Sequence, residues 1–354
     1  MNILLPFHDD SSLILARTIG DELAAHGATA TYVLVIERQD VGAKVSRRQL
    51  NLYLPSGIDL VVSPEDLVSE TLLASFDAII ICRLLRVVND AINERRIERF
   101  RKRACFVAFW AGLDFFPEKG VVNRRHYDIV FLLREAHRRY VPEDARAAHI
   151  GRGHPYFVKS DLPKHRADGP ILFASQSISP LTLSGRVHIM NLLVATALAN
   201  PSREILVKLR HKTNENRHHA HKEVFSYEQI AAQLYSRLPS NIRFNDDSMA
   251  SALQGAAGCI VCTSTAIIDA LAAGVPSMVF LDYPGAADDP LCEPMRDEFA
   301  DSGLICGARD VVSLDFPRAK EEWMEERFLS RSFYAELLNQ IETFHVRRAA
   351  GGMA

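Results

Sequence analysis

The chain has 354 residues, of which 48% are hydrophobic, and its 41 Lys and Arg residues nearly balance 44 Asp and Glu residues. Domains commonly span about 100–200 residues, so this length predicts two domains with packed cores. The net charge of −3 excludes a dedicated nucleic-acid binder, which needs a strongly positive surface. No run of 18 apolar residues occurs and the first residues do not resemble a secretory leader, so we expect a cytoplasmic protein.

Short apolar runs alternate with amphipathic segments in the first half. Residues 3–7 predict a strand, and a helix follows to about residue 26, capped by Ser11 or Ser12 and ended by Gly27. Further strands are predicted at 31–36, 59–62, 77–82, 105–110 and 128–133, the last of this half, with one helix over 88–103. This alternation is typical of a doubly wound α/β domain.

A polar break at 151–155 extends to about residue 170, after which the alternation resumes. Strands are predicted at 171–174, 204–209, 242–244, 258–262 and 276–281, and helices at 185–200, 227–238, 248–255 and 265–273. We therefore expect an acceptor domain at 1–152, a linker at 153–169 and a second domain at 170–330. A helix and tail at 331–354 could cross back to the first domain, with fraying from residue 347.

Metal and dinucleotide motifs are weakly represented. Cys259 and Cys262 form a C-x-x-C inside an apolar run without a second cysteine pair, which predicts buried free thiols and no metal. His218, His219 and His221 could bind a metal, but a polar flap is the favoured interpretation because no carboxylate or cysteine has suitable spacing. Neither a G-x-G-x-x-G nor a P-loop motif is present.

The most informative segment is residues 259–277, CIVCTSTAIIDALAAGVPS, where a strand passes directly into a helix. Thr263, Ser264 and Thr265 place three hydroxyl groups at the positive end of that helix, which suits a phosphate. Ordinary helix capping is the alternative. Asp269 lies about one turn further on, where it could accept hydrogen bonds from a ribose or remain a solvated carboxylate.

A basic cluster closes the predicted strand at 204–209. Lys208, Arg210 and His211 would lie beyond the carboxyl end of that strand, where open α/β sheets bind ligands. Lys208 and Arg210 could neutralise a departing phosphate, and His211 could donate a hydrogen bond. The alternative is a solvated strand end.

Acidic residues follow two strands of the first half in the same way. His8, Asp9 and Asp10 follow the first strand, and Asp114 follows the strand at 105–110. A carboxylate in such a place could act as general base on an acceptor hydroxyl, or it could cap a turn or helix.

Residues 94–103 contain six Lys or Arg and two Glu residues, so the segment carries a net charge of +4. The stretch from Arg95 to Arg103, with Ile97 and Phe100 on one side, could rest on an anionic membrane. A solvated helix face is the favoured alternative.

The second half, over about 150–310, resembles the nucleotide-binding domain of GT-B glycosyltransferases, and is similar to bacterial surface-polysaccharide transferases. The matching segments are ILFASQ at 171–176, LVKLR at 206–210, TSTAIIDALAAGVP at 263–276, Asp282-Tyr283, FADSGL at 299–304 and Gly153-His154-Pro155. The resemblance implies two Rossmann-like α/β domains facing across a cleft. It also implies a donor site that includes Ser175 and Gln176, with no cofactor and no metal, the nucleotide sugar being a substrate.

In sialyltransferase-like and Kdo-transferase-like relatives, a His-Pro motif and a Ser/Thr pair hold cytidine monophosphate. Thr263, Ser264 and Thr265 match the pair, whereas His211 is followed by Lys212. The resemblance implies sugar transfer from a nucleotide donor, such as a CMP-sugar, to a hydroxyl of a surface glycan or glycolipid. We expect direct displacement with Asp10 or Asp9 as base. Asp114 and His8 are further candidates for this base. The alternatives to a transferase are a sugar-nucleotide epimerase and a non-catalytic nucleotide-sugar-binding subunit.

Overall fold

The protein is described by a computed structural model that covers residues 1–36, 44–100, 102–110, 113, 116–143, 145, 149–158, 166–212, 215, 221–329 and 332–351. The chain divides into two compact units. Unit 1 holds the described residues of Met1–Val158 and Leu329–Ala354, and unit 2 those of Lys159–Arg217 and His221–Phe328. None of the helices in these described stretches is long and apolar enough to cross a membrane.

Unit 1 is built on a parallel seven-stranded sheet. Its strands are β1 (Asn2–Phe7), β2 (Thr29–Val35), β3 (Leu60–Val62), β4 (Ala78–Ile81), β5 (Cys105–Ala108), β6 (Ile129–Leu132) and β7 (His149–Arg152). The helices between them are α1 (Asp10–Ala25), α2 (Arg47–Tyr53), α3 (Glu70–Ser75), α4 (Arg86–Asn93) and α5 (Pro117–Arg124). The strand order β3-β2-β1-β4-β5-β6-β7 reverses direction between β1 and β4, which defines a topological switch point.

Unit 2 repeats this plan with a parallel six-stranded sheet. Its strands are β8 (Ile171–Ala174), β9 (Ile205–Lys208), β10 (Ile242–Asn245), β11 (Gly258–Val261), β12 (Ser277–Phe280) and β13 (Ile305–Cys306). Its helices are α6 (Leu183–Ala199), α7 (Tyr227–Leu234), α8 (Met249–Leu253), α9 (Ala266–Ala272), α10 (Cys292–Phe299), α11 (Ala308–Ser313) and α12 (Glu321–Arg327). The order β10-β9-β8-β11-β12-β13 places the switch point between β8 and β11.

The last helix, α13 (Ser332–Gly351), belongs to unit 1. Its apolar face joins the core formed by the strands and α1, through four side chains of at most 3% exposure: Phe333, Tyr334, Leu337 and Ile341. The helix continues through Arg347 to Gly351, so the predicted fraying is wrong for residues 347–351. Arg348 reinforces this end by donating a hydrogen bond to the Phe100 carbonyl at 2.6 Å.

The start of α1 differs from the prediction. Asp9, rather than Ser11 or Ser12, is the N-cap, and Ser12 is the third helical residue of a reciprocal capping box. The Ser12 amide donates to the Asp9 carboxylate at 2.9 Å. Gly27, with φ +84°, follows the helix as expected.

Two further predictions in unit 1 are wrong. The single helix over 88–103 is interrupted, because α4 ends at Asn93, Arg95 has φ +57° and a short 3₁₀ helix follows at Arg96–Arg99. The predicted break at 151–155 overlaps β7, so 128–133 is not the last strand of this half. Gly151 is needed inside β7 because an added Cβ would lie 2.8 Å from the Phe131 ring.

Candidate active site

Three separated segments of unit 2 meet at the carboxyl ends of β8, β9 and β11. Ala174, the last residue of β8, is level with Lys208 at the end of β9 and with Val261 at the end of β11. Ser175 and Thr263 therefore follow neighbouring strands at the switch point, where open α/β sheets bind ligands. The structure thus places the predicted donor-site segments along one edge of the sheet.

The residues after β8 and β9 are linked by hydrogen bonds. The Ser175 amide and hydroxyl both donate to the Lys208 carbonyl at 3.0 Å. Gln176 Oε1 accepts from the Arg210 guanidinium at 3.3 Å and from the Ser177 amide at 2.7 Å. Ser175, Gln176, Lys208 and Arg210, predicted separately, therefore form one connected group.

Lys208 and His211 are more enclosed than a solvated strand end would be. Lys208 is 8% exposed and its ammonium donates to the Leu209 carbonyl, while His211 is 1% exposed. Arg210 between them is only partly buried. Arg210 is therefore the member of this cluster best placed to meet a ligand.

The Arg186 side chain holds the loop that joins β8 to α6 through hydrogen bonds. This residue was not identified from the sequence. The Arg186 guanidinium donates to the carbonyls of Gln176 at 3.0 Å, Ser177 at 2.6 Å and Pro180 at 2.9 Å. Three backbone amides of the same loop have no acceptor within the described chain, namely those of Gln176, Ile178 and Ser179. Backbone amides left in this way form a concave surface suited to an anion.

Asp289 fixes the far end of the same loop. Its carboxylate accepts from the Ser179 hydroxyl at 2.7 Å and the Leu181 amide at 3.1 Å. The Tyr283 hydroxyl, on the segment after β12, donates to the same carboxylate at 2.9 Å. Asp289 is 3% exposed, so this carboxylate lies in the interior and connects the segments after β8 and β12.

Two buried hydroxyl groups near the switch point have no hydrogen-bond partner among the described residues. They belong to Thr263 and Ser177, each 1% exposed. Ser264 Oγ, in contrast, accepts from the Ala266 amide at 3.3 Å, and Thr265 caps α9 without a side-chain hydrogen bond. Capping accounts for Ser264 alone, and an unsatisfied buried hydroxyl such as Thr263 Oγ1 requires another explanation.

Asp269 lies in α9, partly buried, and makes no hydrogen bond or ion pair to any described residue. Burial raises the pKa of its carboxyl to about 7 because water no longer stabilises the charged form. A carboxyl without a protein partner can accept a ligand hydroxyl, which is what the ribose interpretation requires.

The switch point of unit 1 brings His8, Asp9 and Arg83 together. Asp9 is fully buried, pairs with Arg83 and lies 3.7 Å from His8 Nε2. Burial alone would raise the pKa of Asp9, but Arg83, His8 and the hydrogen bonds from Ser12 together lower it. Asp9 is therefore an ionised helix cap, whereas the His8 side chain is 14% exposed.

The other candidate aspartates and histidines give little evidence for a role in catalysis. Asp10 is the first residue of α1 and is 1% exposed. Asp114, His218 and His219 lie outside the described residues, and His221 is partly buried. The structure therefore leaves His8 as the most accessible of the predicted proton acceptors that it describes.

His154 of the Gly-His-Pro segment has a structural role. It is fully buried, and its Nε2 donates to the Trp110 carbonyl at 2.7 Å. Burial lowers the pKa of His154 to about 3, so the imidazole is neutral. The segment thus anchors the end of β7 to the residues that follow β5.

Among the described residues, no group of three or more His, Cys, Asp or Glu side chains could hold a metal ion. Cys259, in β11, and Cys262, just after it, are buried free thiols. Burial raises the pKa of both thiols, which makes them poor nucleophiles.

Two parallel doubly wound sheets, each with its own switch point, define the α/β architecture of GT-B enzymes with two Rossmann-like domains. The chain belongs to the family described as "Putative glycosyltransferase (DUF6716)", whose model matches residues 8–344. The predictions of a GT-B fold and of a glycosyltransferase enzyme are thus confirmed. No curated protein sequence matches the chain.

Solved structures with the same fold include enzymes of two kinds. A "putative UDP-N-acetylglucosamine 2-epimerase" from Listeria monocytogenes is 13% identical with a TM-score of 0.62, over 98% of this chain and 97% of that one. UDP-GlcNAc 2-epimerase from Neisseria meningitidis, bound to UDP-GlcNAc, is 13% identical with a TM-score of 0.57, covering 97% and 100%. MurG from Acinetobacter baumannii is 13% identical with a TM-score of 0.51, covering 97% and 99%. At this identity the likeness concerns the fold alone.

Proposed function

We propose that this glycosyltransferase moves a sugar from a nucleotide-activated donor to a hydroxyl of a surface glycan or glycolipid. One observation supports the binding of a nucleotide sugar. Several N–H and O–H groups at the switch point of unit 2 have no hydrogen-bond acceptor within the described chain. Thr263 Oγ1, Ser177 Oγ and the Ile178 amide have no acceptor within the described chain, and Arg210 donates to the side chain of Gln176, which precedes Ser177 in the same loop. A diphosphate supplies several acceptors and the matching negative charge.

Each part of the donor has a candidate partner in this proposal. The loop amides and the start of α9 would hold the phosphates, and Arg210 would neutralise charge on the departing nucleotide. Asp269 would accept a ribose hydroxyl, since its carboxyl has no partner within the described chain. A fixed set of dipoles stabilises the leaving group without rearranging during the reaction.

On the acceptor side, we assign proton removal to His8, with Asp9 holding the imidazole by charge. Asp9 is the weaker candidate for the base itself because it is fully buried and its pKa is lowered. A base works best with a pKa near the operating pH, which suits an imidazole. Asp10 and Asp114 remain further candidates.

The proposal is tested by replacing Thr263 with Val, which keeps the shape and removes the buried hydroxyl. A panel of UDP, GDP, CMP, CDP and dTDP is titrated by calorimetry, and the tightest nucleotide is then compared between variants. We expect Thr263→Val to weaken binding about fivefold or more without loss of thermal stability, because the removed hydroxyl has no partner among the described residues.

Thr196→Val is the matched control in the same unit. Thr196 is also fully buried, but its hydroxyl donates to the Leu192 carbonyl at 2.8 Å. This variant should lose stability and keep its nucleotide affinity. Unchanged affinity in Thr263→Val, or no binding of any nucleotide to the wild type, would contradict the proposed donor site.

A sugar-nucleotide epimerase is the second candidate, since two epimerases share the fold with TM-scores of 0.62 and 0.57. Incubation of the protein with a labelled nucleotide sugar and no acceptor separates the candidates. An epimerase converts the sugar without an acceptor, whereas a transferase needs one. Donor binding with neither conversion nor transfer would indicate the non-catalytic subunit.

A cytoplasmic location and a contact with an anionic membrane are still predictions from the sequence. Such a contact would depend on charge alone, because Ile97 and Phe100 are buried at 2% and 8% exposure. Arg95, Arg96 and Arg99 remain exposed and would supply that charge. Ile97 and Phe100 therefore cannot supply an apolar contact with the membrane.

A further inference from the structure

We propose that Arg186 is a positioning residue for the donor site, acting through the loop at 176–180 without touching the ligand. This inference rests on the proposed function, because it concerns how the phosphate-binding amides of that site are held. Arg186 lies near the start of α6, beneath the loop that joins β8 to this helix. At 1% exposure, its side chain has no access to a ligand in solution.

The guanidinium of Arg186 connects two segments of unit 2. Besides its three bonds to the β8–α6 loop, it donates to the Phe225 carbonyl at 2.9 Å and pairs with Glu223 at 2.7 Å. Its Cζ lies 5.3 Å from the ring centre of Tyr227, the first residue of α7. One planar group thus fixes the β8–α6 loop against the segment that leads into α7.

The bonds to carbonyls determine where the loop amides point. In a trans peptide unit the C=O and the following N–H point in opposite directions. The Ser177 carbonyl is held by Arg186 at 2.6 Å, so the Ile178 amide is directed away from the guanidinium. That amide is one of those without an acceptor in the described chain, and Arg186 therefore keeps it available for an anion.

Lysine cannot replace arginine in this place. A guanidinium offers five N–H donors in a rigid plane, whereas an ammonium offers three donors from one point. The bonds to Gln176, Ser177, Pro180, Phe225 and Glu223 use all three guanidinium nitrogens. Arg186→Lys should therefore release some of the loop carbonyls while keeping the positive charge.

Arg327→Lys is the matched control. Arg327 is also a buried arginine of unit 2, at 4% exposure, paired with Glu298 at 3.0 Å and 4.4 Å from the ring centre of Trp323. Its guanidinium donates to Glu298 of α10 and to Glu326 of α12, and so does not hold the loops at the carboxyl ends of the strands. Both variants should lose a similar amount of thermal stability.

The affinities then separate positioning from a purely structural role. Inorganic pyrophosphate and the tightest nucleotide of the panel are titrated into wild type, Arg186→Lys and Arg327→Lys. We expect Arg186→Lys to weaken both probes about tenfold and Arg327→Lys to leave both within about twofold. Equal affinities in the two variants would overturn the inference, while a wild type that binds neither probe would instead contradict the proposed function.

A measurement on the wild type covers the case in which Arg186→Lys does not fold. Pyrophosphate should slow hydrogen exchange of the Ile178 amide, because that amide gains an acceptor. Glu223→Gln should also bind both probes within about twofold of the wild type, since it leaves the carbonyl bonds of Arg186 in place. Unchanged exchange at Ile178, or a tenfold loss in Glu223→Gln, would overturn the inference.

Discussion

Three aspartates show how strongly the surroundings decide what a carboxyl group does. Asp9 is held ionised by Arg83, His8 and Ser12 at the start of α1. Asp289 accepts four hydrogen bonds, from Ser179, Leu181, Tyr283 and Leu291, and thereby fixes a loop. Asp269 has neither kind of partner within the described residues and pays for burial with a raised pKa. Only the last arrangement leaves a carboxyl available to a ligand.

Asp269→Asn should raise the free energy of unfolding and lower the affinity for the nucleotide. The folded-state pKa of about 7 lies above the ordinary value of 3.8, so this group stabilises the fold only while it is protonated. Its contribution is full below pH 4 and is lost as the pH rises towards 7. At pH 8 we therefore expect the variant to be more stable than the wild type by up to about 4 kcal/mol in chemical denaturation, since each tenfold change in the ionisation constant corresponds to about 1.4 kcal/mol.

The pH dependence of binding supplies the second readout for Asp269. An ionised carboxylate accepts hydroxyl hydrogen bonds better than a protonated one, so nucleotide affinity of the wild type should rise between pH 6 and pH 8. Asp269→Asn should lack this rise. A wild type and a variant with the same pH profile would show that Asp269 does not contact the nucleotide.

His8→Gln should abolish transfer and leave donor binding intact. Loss of a general base typically reduces the rate about 10²–10⁴-fold, and His8 belongs to unit 1, whereas the donor residues belong to unit 2. The measurement is the rate of nucleotide release from the donor in the presence of acceptor, together with the donor affinity. His26→Gln, at the other end of α1, is the control and should transfer normally; equal rates in both variants would remove His8 from the mechanism.

At the scale of elements, α13 is the clearest case of a segment whose role depends on distant packing. Leu337→Ala should lower the free energy of unfolding of unit 1 by about 2–5 kcal/mol, because a fully buried leucine leaves a cavity. Asn339→Ala, on the exposed side of the same helix, should change it by less than about 0.5 kcal/mol. Hydrogen exchange of β1 and β4 peptides measures the difference, and equal protection in both variants would contradict the assigned packing.

The sequence predicted the central strands well because they are buried on both faces and read as continuous apolar runs. β8 was predicted at its observed bounds, and β4, β11 and β12 to within two residues at each end. The short polar helices α2, α3 and α5 gave no sufficient periodic signal. The basic segment at 94–103 looked like a continuous helix because Ile97 and Phe100 have helical spacing, but Arg95 has φ +57° and a 3₁₀ helix follows it.

The site was predictable only in part, and for a physical reason. Hydroxyl and basic residues at strand ends, such as Thr263 and Arg210, follow a pattern that the position of a strand reveals. Arg186 acts on backbone carbonyls, and Asp289 acts on backbone amides and hydroxyl groups. Nothing in the local sequence distinguishes these two residues from surface charges. Their contribution appears only when burial and hydrogen-bond partners are known, which also explains why Asp9 looked like a candidate base.

In the whole molecule, the net charge is close to zero, although the switch points of the two units carry different functional groups. The switch point of unit 2 offers hydrogen-bond donors that have no acceptor in the described part of the chain, while that of unit 1 holds His8 beside the Asp9–Arg83 ion pair. In the proposed mechanism, unit 2 binds the donor and unit 1 activates the acceptor. The net charge of −3 gave no indication of this division.

Hydrogen exchange measured by mass spectrometry can show where the nucleotide binds. Full-length protein is compared with and without a saturating amount of the tightest nucleotide of the panel. We predict slower exchange in peptides that cover 175–181, 208–212 and 262–267, at the carboxyl ends of β8, β9 and β11. Protection confined to peptides of unit 1, or no protection at these three segments, would rule out a nucleotide site at the switch point of unit 2.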